Sequence, residues 1–237
     1  MRFSSSGCAF ASAVDSLMAV KKFVYDDKRM SLKELSAALD ANWQGFEKLC
    51  LQIRNSPIKY GNNNPEADRY AAAIADHYSG RVNNIPNGRG GVYKAIMHSA
   101  RTFIEQGKKT LATADGRKNG DILSKNGSPC DGMDKNGVTA LIESALRLTP
   151  SNFHESFCLD IMLHPSAISG DAGLRVFNSL LKTYMALGGM AVQFNIFNVE
   201  MLRNAQVNPE KYRNLQVRVC GCMPCRGAKN NGGGSYI

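Results

Sequence analysis

Two stretches of this sequence concentrate residue types that can do chemistry. Residues 215–225 read Leu-Gln-Val-Arg-Val-Cys-Gly-Cys-Met-Pro-Cys, which sets Gly221 directly after Arg218, Val219 and Cys220. A glycine leaves its Cα open to approach and allows positive φ. The Cys220-x-Cys222-x-x-Cys225 spacing points instead to a metal or nucleic-acid module. Zinc, however, takes four ligands from paired cysteines or histidines. Only three cysteines stand here and no histidine follows, so no metal is expected. The second stretch, Leu111 to Ala140, is dense in Gly, Asp, Asn and Ser, including Asp115-Gly116-Arg117, Gly120, Ser128-Pro129, Gly132, Asp134 and Gly137. Long irregular loops are uncommon inside compact domains and are often functional.

The flanking pattern supplies the elements that must position both stretches. Leu215, Val217 and Val219 alternate with Gln216, Arg218 and Cys220, a period-two strand that ends on Gly221. Upstream, the pattern predicts a helix over Thr139–Leu148, a strand over Phe157–Leu163, and a strongly amphipathic helix over Asp171–Leu187 with Leu174, Val176, Phe177, Leu180, Leu181, Tyr184 and Met185 as its apolar set. Gly188-Gly189 ends that helix. A strand over Ala191–Phe197 and a helix over Val199–Gln206 follow. In the first half, helices are predicted over Ala9–Val24, from a Ser31/Glu34 capping box, over Phe46–Arg54 and over Glu66–Val82, then a strand over Val92–Met97. Residues 1–8 read as a loop or frayed end. Strands alternating with helices predict an α/β fold with crossover helices.

Composition narrows the class. The chain of 237 residues suits one large domain or two small ones. The net charge of +9 is spread along the chain, which predicts a solvated surface rather than a nucleic-acid or membrane partner. No apolar run approaches ~18 residues, so no membrane-spanning helix is expected. The start lacks a signal-peptide core, and seven widely spaced cysteines predict reduced thiols in the cytoplasm. Cys50, Cys130 and Cys158 read as buried or loop thiols. His77, His98 and His154 read as structural. His164, before Pro165 at a strand end, reads as structural or as a substrate contact.

Together these residues resemble the glycyl radical enzymes, the pyruvate formate-lyase and diol dehydratase family. Arg218-Val219-Cys220-Gly221 is similar to the family's Arg-Val-small-Gly-aromatic signature. Gln193-Phe194-Asn195 and Asn208-Pro209-Glu210-Lys211-Tyr212 resemble the segments that precede it. Ala112-Thr113-Ala114-Asp115-Gly116-Arg117, Ser128-Pro129 and Gly132-x-Asp134-x-x-Gly137-Val138-Thr139-Ala140 resemble a second motif, with Ala114 and Val138 where proline is usual. Ala13-Val14-Asp15-Ser16-Leu17 and Lys59-Tyr60-Gly61-Asn62 resemble two shorter ones.

The resemblance implies the C-terminal part of a ten-stranded α/β barrel that carries the glycyl radical loop. Residues 1–105 would form a partial, mostly helical barrel. Residues 106–237 would supply the C-terminal strands, the radical strand-loop 215–222 and an aberrant tail, 222–237. The resemblance places the radical on Gly221, because a Cα radical flanked by an amide nitrogen and a carbonyl favours planarity, which a side chain resists. It implies a radical S-adenosylmethionine activating enzyme with an iron–sulfur cluster as partner, and Arg218, Val219 and Cys220 as what that enzyme reads; Arg218 alternatively pairs with a carboxylate. It also implies a thiyl radical on a facing cysteine that attacks a small-molecule substrate, and a homodimer at full length. Cys8 lacks the Val-Glu that follows the family's thiyl cysteine, so that cysteine is expected upstream of Met1. The match stops one residue past Gly221, as a shifted reading frame would leave it. Lyase and dehydratase chemistry both stay open, with dehydratase favoured. A stand-alone radical-bearing accessory subunit is the alternative. Unpaired barrel strands predict oligomers or poor solubility for the chain expressed alone, read by size-exclusion chromatography and thermal melting; a clean monomer that melts cooperatively would contradict this.

Overall fold

Four short parallel strands form the spine on which the helices pack. The structure is a computed structural model and describes residues 3–99, 101–196, 198–212, 216–220 and 223–226. β1 (Phe3–Ser6) pairs in parallel with β2 (Tyr93–Ile96). One residue beyond β2, Met97 bridges in parallel to Phe157 and donates its N–H to the Ser156 carbonyl at 2.8 Å. β3 (Cys158–Leu163) then pairs in parallel with β4 (Ala191–Ile196). Parallel neighbours require long crossovers, and helices fill them here. The expected α/β class is therefore present, as a stretch of parallel wall.

The expectation of a loop at residues 1–8 is overturned for Phe3–Ser6. A serine-rich stretch lacks the apolar alternation that marks a strand, so its pairing is supplied by the partner. Beyond the β2 ladder, Ser4 Oγ donates to Glu155, Ser6 Oγ to the His98 carbonyl, and the Tyr78 hydroxyl to the Ser5 carbonyl.

The predicted helices lie close to their expected positions. α1 (Phe10–Ala19) runs on into a wider π-wound segment, Val20–Asp26. α2 (Leu32–Asp40) opens with the Ser31/Glu34 capping box, and α3 (Glu47–Arg54) follows. α4 (Pro65–Val82) opens on Asn64, whose side chain accepts the amides of Glu66 and Ala67, with Pro65 at its first turn. Ala67, Ala71 and Ala75 recur every four residues and are fully buried, a small-residue stripe that lets α4 close on α1 and β2. After a short α5 (Thr102–Gly107), which the periodicity did not signal, come α6 (Gly137–Leu146), α7 (Gly170–Ala186) and α8 (Val199–Val207).

One core joins Phe10, Val14 and Met18 of α1 to the α4 alanines, Leu141 and Ile142 of α6, Leu159 and Ile161 of β3, and Tyr184 of α7. A second gathers Phe23, Leu35, Trp43, Ile53, Ala112 and Ala114. Ala114, where the family motif has proline, is thus a core residue. The apolar set of α7 is wider than the surface that covers it. Tyr184 is buried, but Leu174, Val176 and Met185 are exposed, with Leu187 and Met190 beside them in sequence.

β5 (Gln216–Cys220) pairs antiparallel with β6 (Met223–Arg226). The register passes from Arg218↔Pro224 to Cys220↔Met223, two residues on β5 against one on β6, the count of a β-bulge at Val219.

Two glycine substitutions separate packing from helix propensity. A Cβ on Gly127 would lie 2.7 Å from Phe157 Cζ, whereas one on Gly80, within α4, meets nothing within 4 Å. Gly127→Ala is expected to destabilise by about 1–3 kcal/mol through overpacking. Gly80→Ala is expected to stabilise by about 0.5–1 kcal/mol. Urea denaturation of both variants beside the parent chain checks the opposite signs.

Candidate functional site

A buried acid on the core face of α1 anchors the polar loop. Asp15 is 1% exposed, between Val14 and Met18 on that face. Its Oδ1 accepts the Tyr60 amide at 2.9 Å, and its Oδ2 lies 3.6 Å from Lys59 Nζ, itself buried. Each residue of Lys59-Tyr60-Gly61-Asn62 then reaches across to the loop. Lys59 Nζ donates to the Asp115 carbonyl at 3.5 Å, and the Tyr60 hydroxyl to the Gly127 carbonyl at 2.8 Å. Gly61 has φ +90° and passes so near Pro129 that a Cβ would sit 2.6 Å from it. Asn62 Nδ2 donates to the Met133 carbonyl at 2.8 Å, and its Oδ1 accepts the Asn136 amide at 3.1 Å.

Inside the loop, Asp115 Oδ1 accepts from Thr113 Oγ1 at 2.5 Å and from the Arg117 amide at 3.3 Å. The Arg117 guanidinium donates to the carbonyls of Asp121, Thr110 and Leu111, and its own carbonyl accepts Trp43 Nε1 at 3.2 Å. Gly116, φ +95°, lets the Arg54 stem lie where a Cβ would stand 2.5 Å from Cγ. The partly buried Cys130 thiol sits 3.9 Å from Asp115 Oδ2 and 3.6 Å from Ser12 Oγ. Ser12 and Ser124 exchange amide-to-hydroxyl bonds at 3.0 and 2.9 Å. Further along, Asp160 of β3 accepts Asn126 Nδ2 at 2.5 Å and Ser128 Oγ at 3.4 Å, while its amide donates back to Ser128 Oγ at 2.8 Å.

Burial governs the electrostatics. It pushes the Asp15 carboxyl up to about 6, against the opposing pull of Lys59 and the Tyr60 amide. It lifts the Cys130 thiol well above its usual range, and the charges of Asp15 and Asp115 add to this. It raises Asp160 too, against Asn126, and lowers Arg117, against Asp115. A thiol kept protonated and a lysine locked between an acid and a carbonyl make poor nucleophiles. This arrangement holds a backbone in place and keeps water out.

Of the residues predicted to carry chemistry, Arg218, Val219 and Cys220 lie on β5, before and within the bulge. Gly221 and Cys222 lie outside the described residues, as do Gly227–Ile237. Cys8 packs on Phe103, Ile104 and Leu123, and burial raises its thiol. His164 is exposed and its Nδ1 accepts the Ser166 amide at 3.2 Å, capping a short 3-10 turn. Among the described residues no group of His, Cys, Asp or Glu is placed to hold a metal, and no helix is long and apolar enough to cross a membrane. The roles of Asp15, Lys59 and Asp160 were not read from sequence. An acid in phase with Val14 and Met18 was the available signal for the first.

Comparison with known proteins bears on most of the chain. A family model described as pyruvate formate lyase-like matches residues 2–107, and one described as glycine radical matches residues 123–223. Trans-4-hydroxy-L-proline dehydratase of Clostridioides difficile is 34% identical over 215 residues, which cover 91% of this chain and 27% of that protein. The 4-hydroxyphenylacetate decarboxylase glycyl radical subunit of Clostridium scatologenes is 34% identical over 241 residues, covering 90% and 26%. A structure solved for 1,2-propanediol dehydration in Roseburia inulinivorans superposes with a TM-score of 0.87 at 32% identity, over 92% of this chain and 28% of that one. The B12-independent glycerol dehydratase from Clostridium butyricum gives 0.83 at 36%, with the same coverage. The chain thus spans about a quarter of the length of these relatives.

The buried acid makes a pH prediction. Unfolded, Asp15 titrates near its ordinary 3.8; folded, near 6. Between those values the folded chain holds a proton that the unfolded chain has lost, so this group's contribution to stability declines as pH rises from about 4 to about 6. Asp15→Asn keeps an acceptor for the Tyr60 amide and removes the titration. The variant's stability is expected to lose less than the parent's across that window, by on the order of 2 kcal/mol. Denaturant melts at stepped pH check it; identical slopes would mean that Asp15 does not titrate in this range.

Proposed function

Because the chain belongs to the glycyl radical enzyme family, we propose that it is the radical-carrying portion of a lyase or dehydratase and stores an unpaired electron on the Cα of Gly221. The observation that carries this reading is the glycine radical match over residues 123–223, which takes in the second half of the polar loop and Gly221. The bulged β5–β6 pairing on either side of Gly221 in sequence supports it, since bulges commonly re-aim a chain beside an active site.

On this reading an activating partner, using S-adenosylmethionine and an iron–sulfur cluster, removes one hydrogen atom from Gly221. The electron left behind is shared between the flanking amide nitrogen and carbonyl, which a planar Cα allows. Arg218, Val219 and Cys220 are the residues that this partner reads. To pass the radical on, Gly221 takes a hydrogen atom from a cysteine thiol and returns to glycine, and the thiyl radical then opens the substrate. The Asp15, Lys59, Asp115 and Asp160 contacts serve positioning and exclusion of water. Residues 1–105 act as barrel wall and 106–237 as the radical-bearing part. Turnover, by cleavage of a carbon–carbon, carbon–oxygen or carbon–nitrogen bond in a small molecule, belongs to a whole enzyme of the relatives' kind, proposed as a cytoplasmic homodimer. Relatives named for dehydration favour carbon–oxygen cleavage.

Anaerobic incubation of the chain with S-adenosylmethionine, a one-electron reductant for the cluster and a radical activating enzyme of the family tests this. Paramagnetic resonance is expected to show a glycine-centred doublet that collapses when glycine is deuterated and is absent in Gly221→Ala. A signal that survives in Gly221→Ala, or none in the parent chain, would overturn the assignment.

A further inference from the structure

A cleft of about 500 Å³ opens between α3 and the polar loop. Three cations from three segments line it: Arg54 from α3, Lys118 from the turn after Arg117, and Lys135 from the turn before α6. None of the three is in an ion pair among the described residues. The one carboxylate in the lining, Glu47, accepts the Gly45 amide at 2.9 Å. The cleft therefore presents three positive charges against one negative.

Two of the cations are held. The stem of Arg54 lies in the space left by the missing side chain of Gly116, and Lys135 Nζ donates to Asn55 Oδ1 at 3.0 Å. Fixed cations lose little freedom when an anion arrives, and a guanidinium grips a phosphate with two parallel bonds. Between them stand Met133 and Leu51, the latter 60% exposed. The volume falls in the range of small-molecule sites and exceeds what a bare inorganic anion fills.

We propose that this cleft binds a small organic phosphate, its dianionic head on Arg54, Lys118 and Lys135 and its apolar body against Leu51 and Met133. A phosphate monoester matches the surplus of two positive charges. Its body would cover a leucine that otherwise stands in water beside three cations.

Calorimetric titration of the 237-residue chain with hexyl phosphate, inorganic phosphate and hexanol tests it. Trp43, the only tryptophan, lines the cleft and reports occupancy by its emission. Hexyl phosphate is expected to saturate and to shift that emission, inorganic phosphate to bind at least tenfold more weakly, and hexanol not to bind. K118Q/K135Q is expected to weaken hexyl phosphate at least tenfold without changing the melt, and Asn55→Ala, which frees Lys135, to weaken it severalfold. Absence of saturation, or equal affinity in parent and K118Q/K135Q, would overturn the site. Equal affinity for hexyl phosphate and inorganic phosphate would overturn the organic body. Gly221 and the activating partner take no part in the titration, so its outcome is independent of the radical reading.

Discussion

A buried backbone with no helix or strand to pair it must find its hydrogen bonds one at a time. The runs 112–117 and 123–130 of the polar loop are under that constraint, and the rest of the fold is arranged to meet it. Tyr60 supplies a hydroxyl to the Gly127 carbonyl, Asn62 an amide to Met133, and Arg117 three donors to its own loop. Close approach supplies the remainder. Gly61 against Pro129 and Gly116 against Arg54 are positions where both the positive φ and the contact exclude a side chain. The small and polar residues of this stretch are thus demanded by geometry, quite apart from any chemistry nearby.

The Asp15–Lys59 pair is the least comfortable part of the arrangement. Two charged groups leave water, and Asp15 Oδ2 finds no hydrogen-bond partner among the described residues. Burial of such a pair is weak evidence for stability, since an apolar pair of similar volume often does as well. What the pair does supply is direction. It fixes which residue of the 59–62 turn faces α1, and with it the register of every contact that the turn makes to the loop. Carboxylates elsewhere in the core, Asp68 on Ser144 and Arg147 and Asp160 on Asn126, tie α4 to α6 and the loop to β3 in the same manner.

Elements held together by local rules were legible in the sequence. Ser31 and Glu34 form their capping box, Ser56-Pro57 ends α3, and the alternation over Phe157–Leu163 becomes β3. Most of the motifs that resembled a known family lie within the two family matches, while Ala112–Arg117 falls between them. What could not be read was set by partners distant in the chain. Phe3–Ser6 carries no strand pattern, and its pairing depends on β2. Cys130 reads as an ordinary loop thiol, and only the fold brings it beside Asp115 and Ser12. On α7, periodicity named Leu174, Val176 and Met185 as one apolar set with Tyr184, but a hydrophobic pattern does not say which part of a wide stripe is covered by which neighbour.

The pairing of β1 with β2 has a consequence in time. Residue 3 meets residue 93, with α1 to α4 between them. On a ribosome the helical segment can begin to collapse before β2 is made, and β1 docks on β2 only after β2 has left the exit tunnel. Contacts of such span close late and slowly, because the intervening chain must first give up its freedom. Until then the edge of β1 that β2 later covers keeps its main-chain groups free for other chains, which makes this serine-rich, uncharged ribbon a point where nascent copies can go astray.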